Sequence, residues 1–133
     1  MEFRNTILIF EKGNIQTTKI ERYLRDKKYF FLRIASPDGF IPLLDSRDRI
    51  RAVVFVDDAH GIFEESYLNL KLLKAISQDM PLLFSTGMNT PQKEERVRDL
   101  GLFYYHTNET GLVPLAMAIE MAVKKSIIIN RFL

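Results

Sequence analysis

Four apolar runs in this chain end in polar residues able to do chemistry. TILIF leads into Glu11-Lys12, AVVFV into Asp57-Asp58, PLLF into Ser85-Thr86, and LFYY into the His106–Asn108 turn. Asp57, Asp58 and His60 could approach a transition metal with Glu11, because carboxylate and imidazole suit such ions. Their spacing fits no strong motif, and a polar loop histidine is the plainer reading. Asp57 and Asp58 can equally cap the loop after a buried strand. Thr86-Gly87 can be only a turn, Tyr105 a half-buried strand residue, and Lys12 a solvated lysine. No nucleophile–base constellation and no phosphate-cradling glycine loop points to another enzyme class.

Positioning these groups falls to alternating strands and helices. Thr6 to Phe10, Phe30 to Ala35, Ala52 to Val56, Pro81 to Phe84 and Leu102 to Tyr105 read as strands. AVVFV is apolar throughout, as the buried centre of a parallel sheet requires. Asn14 can cap a helix to about Lys28, with Ile15, Ile20, Tyr23 and Leu24 on one side. A second helix spans Glu64 to Gln78, with Leu68, Leu72, Ala75 and Ile76 at helical spacing. Thr90-Pro91 supplies an N-cap and first-turn proline, and Gly101 closes that helix. Its interior, QKEERVRDL, is polar and is expected on the surface. Between Ser36 and Arg51, Pro37, Gly39 and Pro42 allow at best a short helix. The basic stretch Arg47–Arg51 within it reads as a solvated turn. Such an order implies one doubly wound parallel sheet over 1–133, with its ligand site at the carboxyl ends of the strands.

Composition narrows the classes. Apolar residues make up 47% and charged residues 27% of the 133, as in a soluble globular domain. Lys and Arg outnumber Asp and Glu by only 19 to 17, too evenly for a nucleic-acid binder. Cysteine is absent, which removes disulfides and thiolate metal sites and fits a reducing cytoplasm. No signal peptide or membrane span is expected, so the predicted location is cytoplasmic.

In this order of elements the chain resembles the receiver domains of bacterial two-component response regulators, including the single-domain chemotaxis type. The segments that carry the likeness are TILIFEK, AVVFVDDAHG, PLLFSTG and RDLGLFYYHTNE. The resemblance implies a flavodoxin-like, three-layer α/β/α fold whose five strands run in order 2-1-3-4-5. It also implies a phosphoacceptor at Asp57, a phosphoryl-contacting hydroxyl at Thr86 and a switch aromatic at Tyr105. Three positions depart from the family pattern. Glu11 and Lys12 stand where two acids hold Mg²⁺, and Asn108-Glu109 stands where Lys-Pro is expected.

These departures bear on the chemistry. Phosphoryl transfer to a carboxylate needs cationic stabilisation. Lys12 would set an ammonium where a carboxylate should face the ion, while Asn108 brings no charge. Mg²⁺ at Glu11 and Asp57 is therefore expected to be weak at best. The expectation is a phosphorylation-independent, stand-alone signalling module in which Lys12 pairs with Asp57 or Glu11 in place of the missing cation. Its partner would be a kinase or regulator. An active Asp57 phosphoacceptor in a phosphorelay is the alternative. A third reading follows from LIFEKGNIQTTKIERYL, which also looks like the start of topoisomerase-primase catalytic domains, Mg²⁺-dependent nucleic-acid enzymes.

The closing segment from Leu112 is more apolar than one sheet face requires. Leu112, Ala116, Ile119, Val123 and Ile127 form the expected core stripe, which leaves Val113, Met117, Met121 and Ile128 over. Self-association through this last helix is expected, the alternative being a tail folded back on the domain.

Overall fold

Alternation of buried strands with amphipathic helices resolves into a regular series. It runs β1 (Thr6–Phe10), α1 (Ile15–Asp26), β2 (Phe30–Ile34), a 3-10 segment (Pro37–Arg49), β3 (Ile50–Val56), α2 (Phe63–Ile76) and β4 (Leu82–Thr86). After these come α3 (Pro91–Arg98), β5 (Tyr104–Thr107), a 3-10 turn (Asn108–Thr110) and α4 (Leu112–Phe132). The computed structural model describes residues 6–11, 15–57, 62–76 and 80–132. Lys12, Asn14, Asp58 and His60 lie outside the described residues, as do the side chains of Ile15, Ile127 and Ile128.

All five strands are parallel and ordered β2-β1-β3-β4-β5, the expected arrangement. Successive side chains of a strand face opposite ways, and this divides the core in two. Leu8, Phe10, Val53, Phe55, Leu82 and Phe84 pack with Leu70 and Leu73 of α2, Val97 of α3 and Phe40 of the 3-10 segment. On the other face Ile7, Ile9, Ala52, Val54 and Leu83 pack with Ile20 and Leu24 of α1 and with Leu115, Ile119, Ala122 and Val123 of α4.

An aromatic row crosses the first face. Phe10, Phe55, Phe84 and Tyr105 are paired in register on neighbouring strands, with ring centroids 4.6, 5.7 and 5.2 Å apart. The first two pairs are stacked and the third is tilted, and such ring contacts add to what burial alone contributes. The shared register leaves the strand ends level, so the residues just beyond the row meet at one rim.

Several boundaries differ from expectation. β4 continues through Ser85 and Thr86, and β5 begins at Tyr104 and runs through His106 and Thr107. Polar side chains at the carboxyl ends remain in the ladder, whereas the apolar pattern stops before them. Ile50 and Arg51 belong to β3 rather than to a solvated turn, and Ile50 is buried. In α2 the stripe is Phe63, Tyr67, Leu70 and Leu73, because Leu68 and Leu72 face outward at 59% and 52% exposure. The segment after β2 is a 13-residue 3-10 stretch containing Pro42. It packs closely at Gly39, where a Cβ would sit 3.2 Å from the Ile34 side chain.

Helix α1 ends in a left-handed residue that is not glycine. Lys28 has φ 62°, and the amide of Tyr29 returns to the Leu24 carbonyl at 2.8 Å. A side chain at this C′ position is strained where glycine is not. Lys28→Gly should therefore raise stability by about 0.5–1 kcal/mol, read as a higher urea midpoint with an unchanged slope.

Candidate functional site

Beyond the aromatic row, β3 and β4 end side by side in Asp57 and Thr86. The Asp57 amide donates to the Ser85 carbonyl at 2.8 Å, which extends the ladder by one residue. Asp57 and Thr86 lie two residues past Phe55 and Phe84, so both face the α2/α3 side of the sheet. Both are 1% exposed, and the Thr86 hydroxyl donates to Asp57 Oδ2 at 2.9 Å.

The cation at this carboxylate comes from α3. Lys93 Nζ lies 2.9 Å from Asp57 Oδ2, 2.6 Å from the Met88 carbonyl and 3.4 Å from Thr86 Oγ1. Its side chain is only 11% exposed, and Nζ sits 5.4 Å from the centre of the Phe63 ring. Local sequence explains how it arrives there. Thr90 accepts from the Lys93 amide at 3.1 Å and Pro91 occupies the first turn, so Lys93 is the third residue of α3. The Thr86–Met88 turn is braced by Met88 N–H donating to Thr86 Oγ1 at 3.2 Å. Asp57 Oδ1 is buried and has no hydrogen-bond partner among the described residues.

Sequence reading missed Lys93 because the helix looked uniformly polar. One signal was available: a lysine in the first turn opposes the positive end of the helix dipole. Such a residue calls for an anion nearby, and Asp57 is that anion.

Glu11 is engaged on the other face. Its buried carboxylate pairs with Arg33 of β2, and Arg33 Nε also lies 3.0 Å from Glu21 of α1. Lys12, expected to pair with Asp57 or Glu11, is among the residues not described; among the described residues the cations at these carboxylates are Lys93 and Arg33.

Ser85 and His106 alternate to the α4 side. Ser85 Oγ lies 2.8 Å from His106 Nδ1, and His106 Nε2 lies 2.7 Å from the Gly111 carbonyl. Since Gly111 O only accepts, Nε2 carries a hydrogen, and in the neutral ring Nδ1 accepts from Ser85. Asn108 Oδ1 is 3.4 Å from Ser85 Oγ. Both Ser85 and His106 are 0% exposed, so the pair ties β4 and β5 to the start of α4 and offers no reachable nucleophile.

Tyr105 is buried rather than half-buried. It is 6% exposed, its hydroxyl donates to Asn89 Oδ1 at 2.6 Å, and Arg98 lies 5.1 Å from the ring centre. Burial first, then the charges of Glu94 and Asp57, push its hydroxyl up to about 12. On α3's surface Arg98 and Arg96 hold Glu94 and Glu64 below the usual carboxylate range through hydrogen bonds.

A Mg²⁺ site needs converging oxygen anions. The groups bonded to Asp57 are instead a hydroxyl and an ammonium, and Glu11 is taken by Arg33. These donors do not fit the ion. No group of three or more metal-ligating side chains occurs among the described residues.

No protein-family model and no curated protein sequence matches the chain. Solved structures do. The signal receiver domain of an HD domain-containing protein from Pseudomonas fluorescens Pf-5 aligns at TM-score 0.77 and 16% identity, over 100% of this chain and 96% of that one. A response regulator receiver domain protein from Clostridium thermocellum aligns at TM-score 0.74 and 18% identity, over 93% and 98%. A pilus assembly-related protein from Burkholderia pseudomallei K96243 aligns at TM-score 0.65 and 15% identity, over 95% and 91%. The fold is that of response regulator receiver domains.

Removing one partner of a buried ion pair strands the other. Lys93→Met should cost about 3 kcal/mol at neutral pH. Asp57→Asn should cost about 1 kcal/mol, because the freed lysine can reach water. Urea unfolding of the double variant should give less loss than the sum, with a coupling of about 1–3 kcal/mol.

Proposed function

We propose that this chain is a receiver-like signalling domain that works by binding a protein partner without being phosphorylated on Asp57. The observation that carries this reading is the Lys93 ammonium on Asp57 Oδ2 at 2.9 Å, with both side chains largely buried. In this reading Lys93 does the work that Lys12 was expected to do. It neutralises the acceptor carboxylate, anchors α3 to the strand ends and keeps Thr86 and Tyr105 in one arrangement. Tyr105 is the proposed switch residue, held inward by Asn89. Asn108 adds no cation, and its contact is with Ser85 on the opposite face.

The receiver fold itself supports a signalling role. The solved neighbours carry names that join such domains to HD domain-containing proteins, a histidine kinase and a diguanylate cyclase. A kinase or regulator is the proposed partner class. The nucleic-acid enzyme reading loses support, because the Glu11 it needs as a metal ligand is already paired with Arg33.

One observation favours the phosphoacceptor alternative. Asp57 Oδ1 is buried without a hydrogen-bond partner among the described residues, so that oxygen is not committed. Incubation with acetyl phosphate and Mg²⁺, followed by intact mass, separates the two. The unmodified mass is expected. Gain of one phosphoryl group, lost in Asp57→Asn, would reverse the proposal.

We further propose self-association through α4. Val113, Met117 and Met121 lie four residues apart and are 68%, 59% and 62% exposed. Ala116, Ile119 and Val123 of the expected core stripe are buried, joined by Leu115, Ala118 and Ala122. Sedimentation at high micromolar concentration should show a dimer that Met117→Glu dissociates; a monomer throughout would refute it.

A further inference from the structure

Sulfur chemistry in this chain rests entirely on methionine. Cysteine is absent, and methionine occurs at positions 1, 80, 88, 117 and 121. Met1 lies outside the described residues. Met80 is 8% exposed and belongs to the core, whereas Met88, Met117 and Met121 are 60%, 59% and 62% exposed. Accessible thioethers are the ones that peroxides reach.

The two on α4 are placed selectively. That helix fills its core side with Leu115, Ala118, Ile119, Ala122 and Val123, and uses no methionine there. Its exposed large apolar residues are Val113, Met117 and Met121. At a spacing of four they line one side of the helix over about two turns. Glu120, the neighbour of Met121, is turned instead to α1. There it accepts from the Tyr23 hydroxyl at 2.6 Å and lies 3.5 Å from Lys27 Nζ. This contact fixes the rotation of α4 about its own axis and keeps the methionine stripe outward.

We infer that Met117 and Met121 form an oxidation site that switches self-association through α4, peroxide leaving the chain monomeric. Such a switch rests on the association through α4 proposed above, and the Asp57 pocket plays no part in it. A two-fold antiparallel pairing of the stripe has its centre at Met117, which meets its own equivalent. Val113 then lies opposite Met121 of the other copy, and the thioethers of both copies share one seam. Methionine suits such a seam because its flexible, polarisable side chain adapts to the facing surface. The same sulfur makes the seam vulnerable. It takes one oxygen atom from the peroxide: the O–O bond breaks, an S–O bond forms, sulfur is oxidised and hydrogen peroxide is reduced to water. The resulting sulfoxide is polar, and burying it in an apolar seam is unfavourable, whereas in the free chain it stays in water. Because the seam covers these sulfurs, oxidation acts on the free chain, and oxidation and association oppose each other by mass action.

The test uses the full chain and hydrogen peroxide. Untreated protein at high micromolar concentration should sediment as a dimer. Once peptide mass mapping shows oxygen on both Met117 and Met121, the dimer should be weaker by about tenfold or more. Circular dichroism should stay unchanged, and methionine sulfoxide reductases should restore the dimer. Partly oxidised protein can be separated by size and each fraction digested. Sulfoxides at Met117 and Met121 should be enriched in the monomer, while sulfoxide at Met88 divides evenly. A monomer before any treatment would refute the association and the switch with it. A dimer that persists with both residues oxidised would refute the switch alone. Even division of the α4 sulfoxides between fractions, or dissociation with loss of helical signal, would also overturn the proposal.

Discussion

An aspartate 1% exposed at the end of a central parallel strand must find a cation or lose its charge, and the structure supplies Lys93. In water such a pair is worth little, but away from water both the attraction and the cost of separating it grow. Much of the surrounding geometry follows from holding these two groups together. The register of β3 on β4 brings Asp57 and Thr86 together. Thr90 and Pro91 set where α3 begins, and that start places the third residue of the helix over the rim. The ammonium then bonds the Met88 carbonyl as well, tying the turn after β4 to the pair.

Strand alternation decides which polar groups can cooperate. Asp57 and Thr86 point to the α2/α3 side, while Ser85 and His106, one residue out of phase, point to α4. Glu11 and Arg33 form a third centre beside α1. Carboxylates that look convergent along the chain are thus separated by the sheet itself, each with its own cation. Such a partition favours a domain held in one arrangement over one that gathers a divalent ion between its acids. That is the physical content of the proposed phosphorylation-independent role.

The connection after β2 has a comparable effect at the edge of the sheet. Pro37, Gly39 and Pro42 turn what could be a covering helix into a 3-10 stretch. The close approach at Gly39 seals Ile34 and Phe40 into the core.

Element order and the parallel sheet were readable from residues alone, because runs such as AVVFV and TILIF are apolar throughout and are separated by helix signals, whereas the 2-1-3-4-5 arrangement followed from the resemblance to receiver domains. Asp57 and Thr86 could be singled out by their places at strand ends, and Tyr105 only by the resemblance. Periodicity could not choose between two apolar ladders in α2, where Leu70 and Leu73 rather than Leu68 and Leu72 face the core. It also ended β4 and β5 too early, since polar strand ends look like turns. Which charge meets which is a matter of distance across the fold. Lys93 is thirty-six residues from Asp57, and only the start of α3, its cap and the level of two strand ends bring the ammonium to the carboxylate.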